Sequence, residues 1–529
     1  MITPDELAAL RRGGAPHALL DLRERGVCER GHIFRATPLP RRLLEVRLST
    51  LVTARGTAIV VYDDDGRLSA LARPTIEAMG YTEVRPLAGG LSAWRAAGHA
   101  VVQGVNVPSK VFGERVLHER ETPEILAEQL AARIDRGDDL IVVDARTPEE
   151  HARGCIPGAW SVPGGELVWR IADLAPRPET TIVVHCGGRT RSYIGCESLR
   201  RMGLPNPVVA LENGTMGWEL AGLALERGAS RVPPPPSERG RAVAAEVARR
   251  VAAEDGIRLV APAALRERWT RRDAENVYVL DVRTADEYAA GHITGAVWAP
   301  GGQAIQATDE YVAVRAASIV LVCDGPVRSV MTAAWLRRMG FPDVAVLAGG
   351  LAAWVADGGA LATGHPGVVP FGYEAARAAV PRVAPGPLGD SMVLSVDPSD
   401  AYTRGHVPEA AWLCRSRLEL TAPLVLTDRT RSMIVTCADG VQSTLTGATL
   451  AGIGYGAVRV LDGGSRAWAA AGLPLERGAT RLLDEPDDVV LKPYDKGRAA
   501  MEAYLAWEEA LDDEGRSPHA LLLESGGRG

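Results

Sequence analysis

The chain of 529 residues is 46% hydrophobic and 24% charged, and its 59 basic against 66 acidic residues leave a net charge of −7. That mild acidity, with both signs interspersed, excludes a nucleic-acid footprint and a basic membrane surface, and no apolar run reaches the ~18 residues that a membrane span needs. At roughly 100–200 residues per domain the length predicts about three to five domains. The N-terminal Met1-Ile-Thr-Pro-Asp-Glu-Leu7 lacks a basic-then-apolar leader pattern, so the cytoplasm is the expected compartment.

Seven cysteines, Cys28, Cys155, Cys186, Cys196, Cys323, Cys414 and Cys437, are spread thinly along the chain. They form no C-x-x-C pair, no zinc-spaced Cys/His cluster and no dense disulfide framework. Burial or reactivity must therefore account for each of them.

Taken in order, the elements repeat. The marker Asp21-Leu-Arg23 lies in the first unit, upstream of Leu87-Ala-Gly-Gly-Leu-Ser-Ala-Trp94. The second unit has Asp144-Ala-Arg146 and Leu211-Glu-Asn-Gly-Thr-Met-Gly-Trp218; the third has Asp281-Val-Arg283 and Leu347-Ala-Gly-Gly-Leu-Ala-Ala-Trp354. The fourth keeps only Ser395-Val-Asp397 of the first marker but has Leu461-Asp-Gly-Gly-Ser-Arg-Ala-Trp468. Units of this length are domains rather than solenoid repeats, with expected boundaries 1–105, 122–228, 257–364 and 370–478, then a linker and helical tail over 479–529. Gly222-Leu-Ala-Leu-Glu-Arg-Gly-Ala-Ser-Arg231 returns as Gly472-Leu-Pro-Leu-Glu-Arg-Gly-Ala-Thr-Arg481, which reads as a duplicated two-domain cassette. Helical segments near 239–254 and 496–512 follow the two copies. Pro233–Pro236 reads as a stiff spacer, Asp484–Asp488 as a solvated linker, and Met501, Tyr504, Leu505 and Leu511 as a face packed on its own cassette.

Within the second unit, Leu140–Val143 and Thr181–Val184 are β-branched runs, Ser192–Met202 has helical spacing, and Val208–Leu211 is strand-like again. Alternation at this pitch predicts an α/β domain, a parallel sheet flanked by helices. Ligands of such sheets bind where strands end and helices begin. The loops after the central strands are Asp63-Asp-Asp-Gly-Arg-Leu-Ser69, Cys186-Gly-Gly-Arg-Thr-Arg-Ser192, Cys323-Asp-Gly-Pro-Val-Arg-Ser329 and Cys437-Ala-Asp-Gly-Val-Gln-Ser443. Three of the seven cysteines thus share one position.

These loops, with the upstream Asp-x-Arg, turns such as Gly291-His-Ile293 and the Gly-Gly-x-x-x-Trp motif, resemble the rhodanese family of sulfurtransferases, as four tandem domains. The resemblance implies a loop cysteine that takes a sulfane sulfur from a donor such as thiosulfate, becomes a persulfide, and passes the sulfur to a thiol or cyanide. It places Cys186 as the nucleophile and Arg191 as the loop-closing arginine, with Cys323 and Cys437 as further catalytic candidates. The physical reading agrees: a thiolate is favoured by cations and by a nest of backbone N–H groups at a helix start. Gly187, Gly188, Arg189, Thr190, Arg191 and Ser192, and Arg328 beside Cys323, are the expected donor-binding residues. His185-Cys186 superficially suits a cysteine phosphatase, but that loop is one residue longer and cradles a phosphate. The shorter loop here favours sulfur transfer.

The other loops are weaker. Asp63 removes the nucleophile from the first domain; Asp324 and Pro326 compromise the third; and Asp439 and Gln442 leave the fourth without a loop cation, although Arg415 and Arg417 could supply charge from a neighbouring loop. Cys155 replaces the histidine found as His32, His292 and His406, whose default role is to fasten backbone, as packing is that of the four repeat tryptophans. Cys28, Cys196 and Cys414 read as structural, and a relay thiol at Cys155 is the less favoured alternative. No metal or organic cofactor is called for. The rival reading is a persulfide carrier or regulatory scaffold that acts with a protein partner.

Overall fold

A computed structural model describes residues 1–365 and 367–512. In the second domain the strands lie in the order Glu124–Ile125, Val208–Leu211, Thr181–His185, Leu140–Asp144, Trp160–Ser161, all parallel. Thr181–His185 is central and buried along its length, as a β-branched strand covered on both faces must be. The third and fourth domains repeat this order around Ser318–Val322 and Met433–Thr436, and the first builds four strands with His17–Asp21 and Ala58–Tyr62 in the middle.

Register positions the loops. Asp144 pairs with His185, Asp281 with Val322, Ser395 with Thr436 and Asp21 with Tyr62. The Asp-x-Arg turn and the loop after the central strand therefore leave each sheet side by side. The second glycine of the Gly-Gly motif clamps that loop from the other flank. Gly214 has φ +54°, Thr215 N–H donates to the Cys186 carbonyl at 2.9 Å, and a Cβ on Gly214 would collide with that same carbonyl. The buried repeat tryptophans lock the helix that follows, each donating its indole N–H to the carbonyl six residues on, as Trp218 does to Ala224 at 3.0 Å.

Packing crosses the cassettes. One apolar core runs through the first three domains and the helix Glu238–Glu254, joining Leu51, Ile171, Val247, Tyr278 and Trp335, while the fourth domain has its own. The segment after the short edge strand makes two equivalent contacts. Gly164 and Gly165 of the second domain abut Gly301 and Gly302 of the third, where the missing Cβ atoms let the backbones meet. The turn Arg41–Leu43 of the first abuts Arg415–Arg417 of the fourth, with Arg41 on Glu419 at 2.7 Å and Arg415 on Glu45 at 2.7 Å.

Two expectations fail at the C-terminal end. The acidic stretch is no solvated linker: Asp484 and Asp487 bind Arg417 at 3.0 and 2.8 Å, and the buried Asp488 accepts from the Ser399 N–H at 2.9 Å. Asp484 and Asp487 are consumed as partners of Arg417, and Asp487 also meets Arg30. The helix Arg498–Glu509 does not pack on its own cassette but on the second domain, burying Met501 and Leu505 against Met216. The apolar stripe is legible in sequence, whereas the surface it covers is a matter of where the chain returns. The part of the expected tail beyond residue 512 lies outside the described residues.

Candidate active site

The loop 186–192 starts where the buried central strand ends and runs straight into the helix Thr190–Arg200. Cys186 is 3% exposed, and Ser192 Oγ donates to its Sγ at 3.1 Å. The Gly187 carbonyl accepts from Met216 N–H at 3.1 Å, and Gly188 has no room for a side chain: a Cβ there would lie 2.9 Å from Met216 Cε and 3.1 Å from Glu508 Oε2. Of the loop residues expected from sequence, Ser192 meets the sulfur directly, whereas Thr190 donates to Glu508 at 2.8 Å.

Neither loop arginine is free. Arg191 makes a bidentate pair with Glu150 at 2.7 and 2.8 Å. Burial raises the Glu150 carboxyl, but the Arg191 charge outweighs it and holds the group down at about 2. Arg189 is turned onto Glu114, at 2.8 Å to both oxygens, and also meets Asn213 and Glu509 at 3.0 Å each. Its guanidinium is already engaged by these partners, although burial pushes the Glu114 carboxyl up to about 7. Asn213 stands where the other three repeats have glycine; it keeps the left-handed φ of 57° and uses its amide oxygen on Arg189. Below the loop, Asp144 is held well under the usual carboxylate range, since His185, His151 and Arg146 outweigh its burial.

In the third domain Arg328 Nε donates to Cys323 Sγ at 3.2 Å, and its guanidinium is shared with Glu287 at 2.6 Å and with Glu166 of the second domain at 2.8 Å. Burial pushes the Cys323 thiol up, and Arg328 offsets only part of this. Cys437 has only Ser443 and Asp439 for company; its thiol is also pushed up by burial, with the Ser443 bonds working against it. Arg415 reaches Gln442 at 2.8 Å but is paired with Glu45, and Arg417 is paired with Asp484 and Asp487, so neither supplies a free charge. In the first domain the nest is filled from within. Asp63 accepts from the N–H groups of Gly66, Leu68 and Ser69 at 3.0–3.2 Å and from Ser69 Oγ at 2.5 Å.

Several residues around Cys186 escape the sequence reading: Glu150, Glu114, Lys110, Tyr504 and Glu508. Glu150 had a signal. The repeats carry a glutamate six residues after the Asp of Asp-x-Arg only where the loop ends in arginine, as Glu150 with Arg191 and Glu287 with Arg328; Val27 and Ala401 accompany Leu68 and Gln442. The others come from outside the repeat. Cys155 and Cys196 are fully buried, with burial pushing Cys155 up to about 11. All seven cysteines are free. Among the described residues no group of three or more His, Cys, Asp or Glu could hold a metal, and no helix is long and apolar enough to cross a membrane.

Four segments, 3–97, 126–221, 264–357 and 385–471, match the rhodanese-like domain. The crystal structure of a thiosulfate sulfurtransferase from Pseudomonas aeruginosa superposes with a TM-score of 0.91 at 39% identity, covering 99% of this chain and 98% of that one. A sulfurtransferase of Allochromatium vinosum is 33% identical over 102 residues, 19% of this chain and 92% of its own.

Proposed function

Because the chain belongs to the rhodanese-like domain family, we propose that it is a sulfurtransferase whose working nucleophile is Cys186. The observation that carries this reading is the placement of Cys186 Sγ at the end of the buried central strand, hydrogen-bonded by Ser192 and enclosed by a loop whose closing Arg191 is fixed by Glu150. The Cys186 thiolate attacks the outer sulfur of thiosulfate or a related anionic donor. The donor S–S bond breaks, its electron pair leaves with sulfite, and Cys186 becomes a persulfide. A thiol or cyanide then attacks the terminal sulfur, and the thiolate is regenerated. The loop stabilises negative charge on sulfur at each stage.

Cys323 is a second, slower site, since burial pushes its thiol up and the Asp324 charge adds to this. Cys437, with no loop cation, does not turn over. The free thiols suit a reducing cytoplasm. Thiocyanate formation from thiosulfate and cyanide tests the assignment on single Cys→Ser variants. Cys186→Ser removes most of the rate, Cys323→Ser a minor part and Cys437→Ser none. An unchanged rate in Cys186→Ser overturns it. A Cys186 persulfide that small acceptors do not discharge identifies a carrier instead.

A further inference from the structure

The chain contains three lysines, Lys110, Lys492 and Lys496, among its 59 basic residues. All three lie on the elements that close over the Cys186 loop: Lys110 on the helix Val107–Arg120, the other two on the segment leading into the helix Arg498–Glu509. Lys496 approaches Glu29 at 3.7 Å. Lys110 is different. It is 3% exposed, its ammonium sits 4.6 Å from the Tyr504 ring centre and 4.7 Å from that of Trp507, and among the described residues no hydrogen bond or ion pair reaches the ammonium.

Three contacts place the surroundings of this ammonium beside the Cys186 loop. Gly113 and Glu114, three and four positions on and so on the same helix face, touch the loop directly. A Cβ on Gly113 would be 2.9 Å from Thr190 Cγ2, and Glu114 holds Arg189 at 2.8 Å. Tyr504, over which the ammonium lies, comes within 3.6 Å of the Cβ position of Gly188. Glu508, one turn further along, bonds Thr190 and is 1% exposed.

A buried ammonium whose neighbouring carboxylate, Glu508, stays outside ion-pair distance is costly. Aromatic faces recover only part of that cost. A donor such as thiosulfate carries its charge on the oxygens that leave as sulfite, and Arg189 and Arg191 are already paired. We propose that Lys110 is the specificity-determining cation of the Cys186 site, taking the oxyanion end of the sulfur donor within walls formed by Tyr504 and Trp507. This rests on the sulfurtransferase reading above. Burial lowers the ammonium to about 8, with Glu508 pulling the other way, so it is still mainly charged at neutral pH. A compact, three-donor ammonium also fits a trigonal oxyanion that arrives and departs each cycle.

The test compares two donors on the full chain: thiosulfate, and an aryl thiosulfonate whose leaving end has an aryl group in place of one charged oxygen. Lys110→Met raises KM for thiosulfate about tenfold more than KM for the thiosulfonate, the scale of one lost charge-assisted contact, and Lys110→Arg recovers most of the difference. Equal factors for both donors, or no change for either, overturn the proposal. KM is independent of the folded fraction, so partial misfolding does not mimic the result. The mass of the wild-type chain after thiosulfate tests the premise separately. Absence of a Cys186 persulfide removes the sulfurtransferase reading, whereas its presence with equal donor factors removes only the role of Lys110.

Discussion

Thr190 Oγ1 donates to Glu508 Oε1 at 2.8 Å, so the last turn of the C-terminal helix rests on the first turn of the helix that follows Cys186. The Cys186 loop is therefore covered by a segment that belongs to none of the four repeats. Its anchor is apolar, Met501 and Leu505 against Met216.

Loosening that anchor uncovers Cys186. Met501→Ala with Leu505→Ala removes buried side chains worth roughly 2–5 kcal/mol each, enough to raise the population of the lifted helix. Alkylation of Cys186 by iodoacetamide, followed by peptide mass, accelerates at least about tenfold on this scale. Cys323, in another domain, serves as the internal control and keeps its rate. Equal acceleration of both would mean global loosening instead.

The Gly-Gly motif yields a matched pair of variants. Gly214→Ala drives a methyl into the Cys186 carbonyl, whereas Gly222→Ala, at φ +80° with nothing within 4 Å, meets only the left-handed penalty. The second costs about 1–2 kcal/mol. The first costs more in urea unfolding and also abolishes Cys186-dependent turnover. Similar stability losses with activity intact in both would separate the motif from the loop.

Asp63 satisfies three backbone donors of its loop. Asp63→Ala leaves those N–H groups without an acceptor and destabilises the first domain by about 2–3 kcal/mol, while Asp63→Asn, which retains one acceptor oxygen, loses about half of that. Chemical denaturation measures both. No sulfur-transfer activity is lost with either, because the first domain has no nucleophile.

Acid separates Glu150 from ordinary carboxylates. Its folded value of about 2 lies below the usual 4.5, so it contributes stability above pH 4.5 that is lost as pH falls through about 2. Glu287, held at about 2 by Arg328 against its burial, behaves alike. Glu150→Gln is less stable than wild type at pH 6 by about 1–2 kcal/mol, since Arg191 loses its charged partner, and the gap narrows towards pH 2. A gap that is constant with pH would assign the loss to packing.

The activity left in Cys186→Ser has its own pH signature. Burial raises the Cys323 thiol above its usual 9.0, so the residual thiocyanate rate climbs with pH to 9 and beyond. A plateau at neutral pH would show that another group sustains it.

The repeating unit is legible in the amino-acid order alone: four parallel sheets, the loop after each central strand, and which of those loops keeps a cysteine and an arginine. Those features are local, since strand, turn and helix signals lie within a few residues of one another and recur four times. Even the Glu150–Arg191 pair is visible there, because Glu287 and Arg328 repeat it while Val27 and Ala401 do not. It takes the folded chain to show that both loop arginines are paired with glutamates, that Glu166 reaches across to Arg328 at 2.8 Å, and that Lys110, Tyr504 and Glu508 gather beside the Cys186 loop. The cause is separation along the chain. Thr190 and Glu508 are 318 residues apart, and an amphipathic stripe declares that a helix is buried without declaring on what, a choice made when its apolar face finds Met216 and its carboxylates find the loop.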